Sequence, residues 1–321
     1  MNHAKKPVEF SDITVWAAWL YYVDELTQKE VADLLGTSRV TVIKLLADAR
    51  RRGLVKVDID TAVASRVALS RELAEEYDLE EALVMPSLEG GDDLKRLGRA
   101  ASVMLVDKLS DGETLAVAWG RTVSAVAEAV PDFASLKDIT VCQLVASPDG
   151  MASDFSPELC SSLLANRLGA KCVNILAPAV VSTVEVKESL MREPSIAAQF
   201  DVIRSASTAL FGIGEFGPGS TIATQNLHDA NTLTGVQQDG AVGVIMGLFF
   251  DARGQEVHSP VSDRQIGASL DNLKAIPRRI CVAGGSNKTL AIRAALEGGF
   301  VTHLVTDEIT AKNLRHESRV K

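Results

Sequence analysis

The 321 residues are 46% hydrophobic but only 5% aromatic, which suits an Ala/Val/Leu-rich α/β protein of two domains and excludes a disordered chain. No apolar run approaches the roughly 18–20 residues of a membrane span, the densest being 242–250. The basic start is not followed by an apolar stretch and a small-residue cleavage site, so a cytoplasmic protein without a membrane partner is expected.

The net charge of −9 divides unevenly. Residues 1–60 carry nine Lys/Arg and nine Asp/Glu, so the acidity belongs to residues 61–321. Within 37–57, Arg39, Lys44, Arg50, Arg51, Arg52 and Lys56 face a single anion, Asp48, the local excess that phosphate contact requires. The four cysteines, Cys142, Cys160, Cys172 and Cys281, show no C-x-x-C spacing and are expected as buried free thiols.

In chain order, Ile13, Trp16, Ala17, Leu20 and Tyr21 recur at the spacing of one helical face. Thr27 followed by Glu30 is a capping box that starts a second helix, closed at Gly36, where a left-handed residue permits a sharp turn. Ser38 or Thr37 caps a third helix to about Arg52. Counting from Gln28, Ala32 stands fifth, where two helices cross, Gly36 ninth, in the turn, and Val42 fifteenth, facing the first helix of the pair: a helix-turn-helix. Thr27, Gln28, Ser38, Arg39, Thr41 and Lys44 are the expected DNA-facing residues, with Arg39 reading guanine and Arg50, Arg51 and Arg52 on phosphates. The alternation over 54–60 predicts a strand leaving this unit.

Residues 1–60 therefore read as the DNA-binding domain, 61–80 as a linker helix and 81–321 as a larger α/β domain. Strands are predicted over 82–85, 115–118, 139–145, 172–176, 209–213, 242–250, 280–283 and 304–306, and helices over 94–109, 123–130, 158–168 and 290–297. That alternation means a mostly parallel sheet wrapped by helices, with ligands at the carboxyl ends of strands. Three strand-to-helix loops carry suitable chemistry. The first holds Gly120, Arg121, Thr122 and Ser124, the second Gly212, Gly214 and Glu215, the third Gly284, Gly285 and Lys288. Together they point to an anionic or polyhydroxylated ligand, and the absence of G-x-G-x-x-G or G-x-x-x-x-G-K-[ST] disfavours a dinucleotide or ATP. Asp251, Asp263 and Glu215 are carboxylates near strand ends, Asp251 and Glu215 being expected to face the effector, but no spacing makes an acid–base pair. His228, His258 and His303 form no ligand-spaced cluster, so neither metal nor cofactor is expected.

Tyr21–Ala32 with the following Leu35-Gly36-Thr37-Ser38-Arg39 resembles the N-terminal signature of the SorC family of sugar-responsive transcriptional regulators. The resemblance continues through Gly98-Arg99-Ala100-Ala101, Trp119-Gly120-Arg121-Thr122, Leu176-Ala177-Pro178-Ala179, Gly212-Ile213-Gly214, Ala283-Gly284-Gly285 and 304–308, nearly the whole chain in order. It implies a Rossmann-like effector domain related in fold to ribose-5-phosphate isomerase and glucosamine-6-phosphate deaminase, in a homotetramer or dimer on palindromic operator DNA. It further implies that Gly120, Arg121 and Thr122 line an effector phosphate, that Gly212 and Gly214 lie near the sugar, and that Lys288 reaches the ligand. Two other readings stand beside a regulator of carbohydrate or polyol catabolism: a sugar-phosphate isomerase or deaminase with a helical extension, and a protein-docking module at the N-terminus.

Overall fold

The computed structural model describes residues 12–55, 61–87, 93–131, 136–148, 155–216, 220 and 228–318, and the chain divides into two compact units after Val63. The first unit holds α1 (Ile13–Tyr22), α2 (Gln28–Leu35) and α3 (Arg39–Arg51). Each start is fixed by a side-chain cap. Asp12 accepts from the Thr14 amide, Thr27 and Glu30 form the reciprocal capping box, and Ser38 accepts from the Thr41 amide. Gly36 ends α2 at φ 62°, its N–H bonding back to Ala32. Trp16, Ala17, Leu20, Val31, Ala32, Val42, Leu46 and Ala49 form the core of this unit, Ala32 and Val42 where the spacing placed them. Ile13 is the exception to the expected stripe: it is exposed, and Thr14 beside it is buried. Leu54 and Val55 are not in a strand, and the rest of the strand expected over 54–60 lies outside the described residues.

Helix α4 (Thr61–Glu76) leads to β1 (Glu81–Met85), α5 (Asp93–Lys108), β2 (Thr114–Val117), α6 (Arg121–Ala129), β3 (Thr140–Gln143), α7 (Pro157–Leu168) and β4 (Lys171–Val173). Then follow α8 (Val184–Arg192), α9 (Pro194–Arg204), β5 (Thr208–Phe211), α10 (Ala230–Gln238), β6 (Ala241–Ile245), β7 (Leu248–Asp251) and β8 (Glu256–Val257). The chain closes with α11 (Leu270–Ala275), β9 (Arg278–Val282), α12 (Thr289–Glu297), β10 (His303–Asp307) and α13 (Glu308–Ser318).

Seven strands form one parallel sheet in the order β1-β10-β9-β5-β2-β3-β4. The alternation along each strand divides the core in two. Leu115, Val117, Val141, Leu210, Ile280, Val282 and Val305 pack with α5, α6 and α7. Ala116, Cys142, Ala209, Phe211, Cys281 and Leu304 pack in the other layer with α4, α9, α11, α12 and α13. Helices α5 and α6 approach so closely that a Cβ on Gly98 would lie 2.5 Å from the Ala125 carbonyl oxygen.

One expected strand is wrong in kind. Residues 242–250 are not a single strand but the antiparallel hairpin β6–β7, extended by β8 into a separate three-stranded sheet. Met246 and Gly247 turn the chain with φ 56° and 84°, both positive, the turn that matches the twist of a tight hairpin. An unbroken apolar run concealed it because both strands are buried. Cys172 also departs from expectation: it is exposed, its Sγ 3.3 Å from Asn174 Oδ1, while the other three thiols are buried. Burial pushes the Cys142 and Cys160 thiols up to about 12, beyond ordinary reactivity.

From β2 the chain moves outward to β3 and β4, then returns to place β5 on the other side of β2. The loop after β2 enters α6 in one layer, whereas the chain after β5 leads to a hairpin whose Ile245, Leu248 and Phe250 pack in the other. The two loops part above β2 and β5 and leave a crevice at their carboxyl ends, the position where open parallel sheets bind ligands.

Candidate functional site

Three loops converge on that crevice. Gly120 starts α6 at φ 114°, a conformation that side chains rarely adopt, and donates its N–H to the Phe155 carbonyl. The first turn of α6 has no side-chain cap, so its amide end is presented to the crevice. Gly212, at the end of β5, lies against Thr122: a Cβ there would meet Thr122 Cβ at 3.7 Å. Gly214 pairs with Val244 of β6, its N–H donating to the Val244 carbonyl at 2.9 Å. A Cβ on Gly214 would stand 2.5 Å from Val244 Cγ1, so glycine is what lets the β6–β7 hairpin close over the loop.

The result is a cleft of about 620 Å³ lined by Gly120, Arg121, Thr122, Gly212–Gly214, Glu215 and Lys288, with Trp119, Ser220, Val244, Met246 and Gly247 as its further walls. Burial, above all, lowers the Lys288 pKa; Glu215 opposes that shift and Arg121 adds to it. Two cations, Lys288 largely buried and Arg121 exposed, therefore share one corner with one carboxylate, which favours an incoming anion. A second cavity, of about 890 Å³, shares Arg121, Thr122 and Lys288 with the first and continues past Gly284, Gly285 and Ser286 to Asp93 and Asp307. Asp307 is buried. Its Oδ2 accepts from the Gly285 amide (2.7 Å) and Thr310 Oγ1 (2.6 Å), which fixes the third loop.

Of the predicted effector residues, the structure brings Gly120, Arg121, Thr122, Gly212, Gly214, Glu215 and Lys288 to one cleft, and Gly284 and Gly285 to the adjoining cavity. Ser124 does not join them: it is buried one turn inside α6, its Oγ 3.5 Å from Glu128 Oε1. Asp251 ends β7, where its Oδ1 accepts the Arg253 and Gln255 amides at 2.8 and 2.9 Å; it shapes the turn to β8 and lines neither cavity. Asp263 is exposed in the short turn Ser262–Arg264, also outside both. The hairpin wall was missed because 242–250 was read as one strand. Asp307 could have been found from its place at the end of a strand beside β9. Behind the wall, His228 Nε2 meets the Gly247 carbonyl at 3.0 Å and Gln265 Nε2 donates to the Met246 carbonyl at 2.8 Å. Among the described residues, no group of three or more His, Cys, Asp or Glu could hold a metal, and no helix is long and apolar enough to cross a membrane.

In the first unit, Arg39, Thr41, Lys44 and Arg50 are exposed on α3, and Arg39 Nε donates to Gln28 Oε1 at 3.1 Å. Ser38 and Thr41 hydroxyls lie 2.9 Å apart at the helix start. Thr27 is engaged by its own helix, Oγ1 and N–H both donating to Glu30 Oε2. The three terminal arginines differ more than their sequence suggests. Arg51 pairs with Asp48, and Arg52 bridges Asp48 (3.4 Å) to Asp12 (2.6 Å), tying the start of α1 to the end of α3. The Thr14 amide and then Arg52 hold Asp12 below the usual carboxylate range.

Comparison with known proteins places both units. Residues 62–315 match the family model described as "Putative sugar-binding domain", and residues 20–72 match the Crp-like helix-turn-helix domain. The chain is 34% identical over 310 residues to the transcriptional regulator YjhU of Escherichia coli strain K12, covering 94% of each. It is 33% identical over 299 residues to the E. coli strain K12 transcriptional regulator LsrR, covering 92% of this chain and 91% of the relative. The full-length sorbitol operon regulator SorC from Klebsiella pneumoniae has the same fold, with a TM-score of 0.74 at 24% identity over 94% of this chain and 97% of that one. A DeoR family transcriptional regulator from Listeria monocytogenes gives 0.71 at 26% identity, covering 77% of this chain and 98% of its own.

Proposed function

Because the chain belongs to the SorC family of transcriptional regulators, a helix-turn-helix joined to a sugar-binding domain, we propose that a sugar or sugar phosphate in the cleft above β2, β5 and β9 sets its affinity for operator DNA. The protein is a regulator and not an enzyme, as its named relatives are. We assign residues 1–60 to DNA, 61–80 to the linker helix and 81–321 to the effector, and place the protein in the cytoplasm as a dimer or tetramer on a palindromic operator of a carbohydrate or polyol catabolic operon.

One observation carries the effector reading: Arg121, Lys288 and the uncapped start of α6 meet in one cleft. An anionic group there gains two charge-assisted contacts and the helix amides. The hydroxyls of the sugar then fall toward Glu215 and the backbone of Gly212 and Gly214, where the absence of side chains permits close approach. Such a ligand acts on DNA only through different affinities for two arrangements of the oligomer, and its effect on operator affinity equals that difference.

Calorimetric titration of the full-length protein with a panel of sugars and their phosphate esters tests the site. The reading expects saturable binding of at least one, lost in Arg121→Ala. Binding that survives Arg121→Ala and Lys288→Met together would remove the effector from this cleft.

A further inference from the structure

The recognition helix carries an apolar face that its fold does not use. Helix α3 buries Val42, Leu46 and Ala49 against the core of its unit. Its 3.6-residue period then turns Val40, Ile43, Lys44 and Ala47 the other way, and all four are exposed. Val40 is 62% exposed and Ile43 45%, a pair one turn apart. A single exposed apolar residue needs no explanation. Two β-branched residues stacked on the exposed face of this helix do, because β-branched residues on a solvated helix face are also poor helix formers.

The surroundings say what the face fits. Arg39 and Thr41 flank Val40, and Lys44 and Arg50 lie along the same side. A second copy of this face would bring those cations onto one another, whereas a nucleic acid would neutralise them. Within the major groove the apolar feature of a base edge is the thymine 5-methyl group. We infer that Val40 and Ile43 are specificity residues that pack against thymine methyl groups, next to the base contacted by Arg39. The inference rests on the proposal that residues 1–60 bind operator DNA, with α3 as the reading helix and Arg39 on a guanine as the sequence leads one to expect, and it adds that the operator half-site contains thymine adjacent to that guanine.

The test uses full-length protein and DNA from which only the methyl group is removed. Duplexes enriched from a random library by the wild-type protein supply the binding sequence, and each thymine in turn is replaced by deoxyuridine. Burial of one methyl corresponds to about a fourfold change in Kd. The expected result is a loss of about that size at one or two positions per half-site, beside a guanine. It should disappear in Val40→Ala and Ile43→Ala, with circular dichroism reporting that the variants fold. Deoxyuridine tolerated at every position by the wild-type protein overturns the inference, whatever the variants do. So does full methyl sensitivity retained by both variants. Enrichment of no sequence at all overturns the DNA reading itself and this inference with it. A change of oligomeric state in the variants with deoxyuridine tolerated would assign the face to a second copy instead.

Discussion

Arg39 and Gln28 stand first in their helices, and the Arg39 Nε donates to the Gln28 Oε1 at 3.1 Å across the turn of the helix-turn-helix. The bond engages Nε and not the terminal amino groups, which on the DNA-binding proposal would be the ones to meet a base edge. Arg39→Ala is therefore expected to cost about 1–3 kcal/mol on the operator and to relax the preference at one guanine position. Gln28→Ala should relax the same position less. Arg50→Ala should weaken operator and random DNA alike and reduce the slope of log affinity against log salt by about one. Anisotropy titrations at several salt concentrations separate the two. Equal losses on both DNAs for Arg39→Ala would contradict the assignment.

The shared corner of Arg121 and Lys288 predicts a pH dependence for any anionic effector. Burial lowers the Lys288 pKa, so its charge is lost at a pH below that of an ordinary lysine as pH rises. An anion held by that charge should bind well at neutral pH and weaken as pH rises through the lowered value. Lys288→Met should bind weakly and without this dependence. Titrations of a sugar phosphate at increasing pH check it; identical pH profiles for the wild-type protein and Lys288→Met would refute it.

Gly214 and Val244 offer a compensation test of the hairpin wall. A Cβ on Gly214 would stand 2.5 Å from Val244 Cγ1, so Gly214→Ala should push the β6–β7 hairpin off the loop, at a cost of about 1–3 kcal/mol in stability together with a loss of effector affinity. Val244→Ala in the same chain removes the obstructing methyl groups and should recover much of both. No rescue in the double variant would mean that the two residues are not coupled as described.

His228 makes acid stability another readout. Burial lowers its pKa from the ordinary 6.5, against the Gly247 carbonyl and Asp229, which act in the opposite direction. His303 is lowered as well, chiefly by burial. In both cases the unfolded chain takes up its proton first. Stability is then unaffected above about pH 6.5 and falls as pH drops toward the folded pKa, by up to about 1.4 kcal/mol per pH unit for each histidine. Urea midpoints should fall across that window, and less steeply in His228→Gln. An identical slope in that variant would show that His228 does not titrate there.

The helix-turn-helix was legible in detail because its signals are local: a capping box at Thr27 and Glu30, a left-handed glycine at 36, and an apolar stripe through Val42, Leu46 and Ala49. The parallel strands were legible from their apolar runs, and the three loops because glycine at a strand end has few other uses. Asp251 was misread because a carboxylate at a strand end faces a ligand in a parallel sheet, but β7 is antiparallel, and there it ties a turn. The hairpin is local but hidden in an unbroken apolar run, whereas the bond from Gly285 to Asp307 and the sharing of Arg52 between two helices rest on long-range contacts, which no local spacing reports. Val40 and Ile43 carry no signal of their own in the sequence, because apolar residues beside Val42 on α3 look like more of its buried stripe.

Control of DNA binding through the cleft is measured by anisotropy of the full-length protein on its own upstream DNA, with random DNA as competitor, with and without the compound that binds the cleft. The expected result is a preference for the upstream DNA that the compound changes, and in Arg121→Ala the same preference with no response to the compound. No preference over random DNA, or an Arg121→Ala protein that still responds in full, would contradict it.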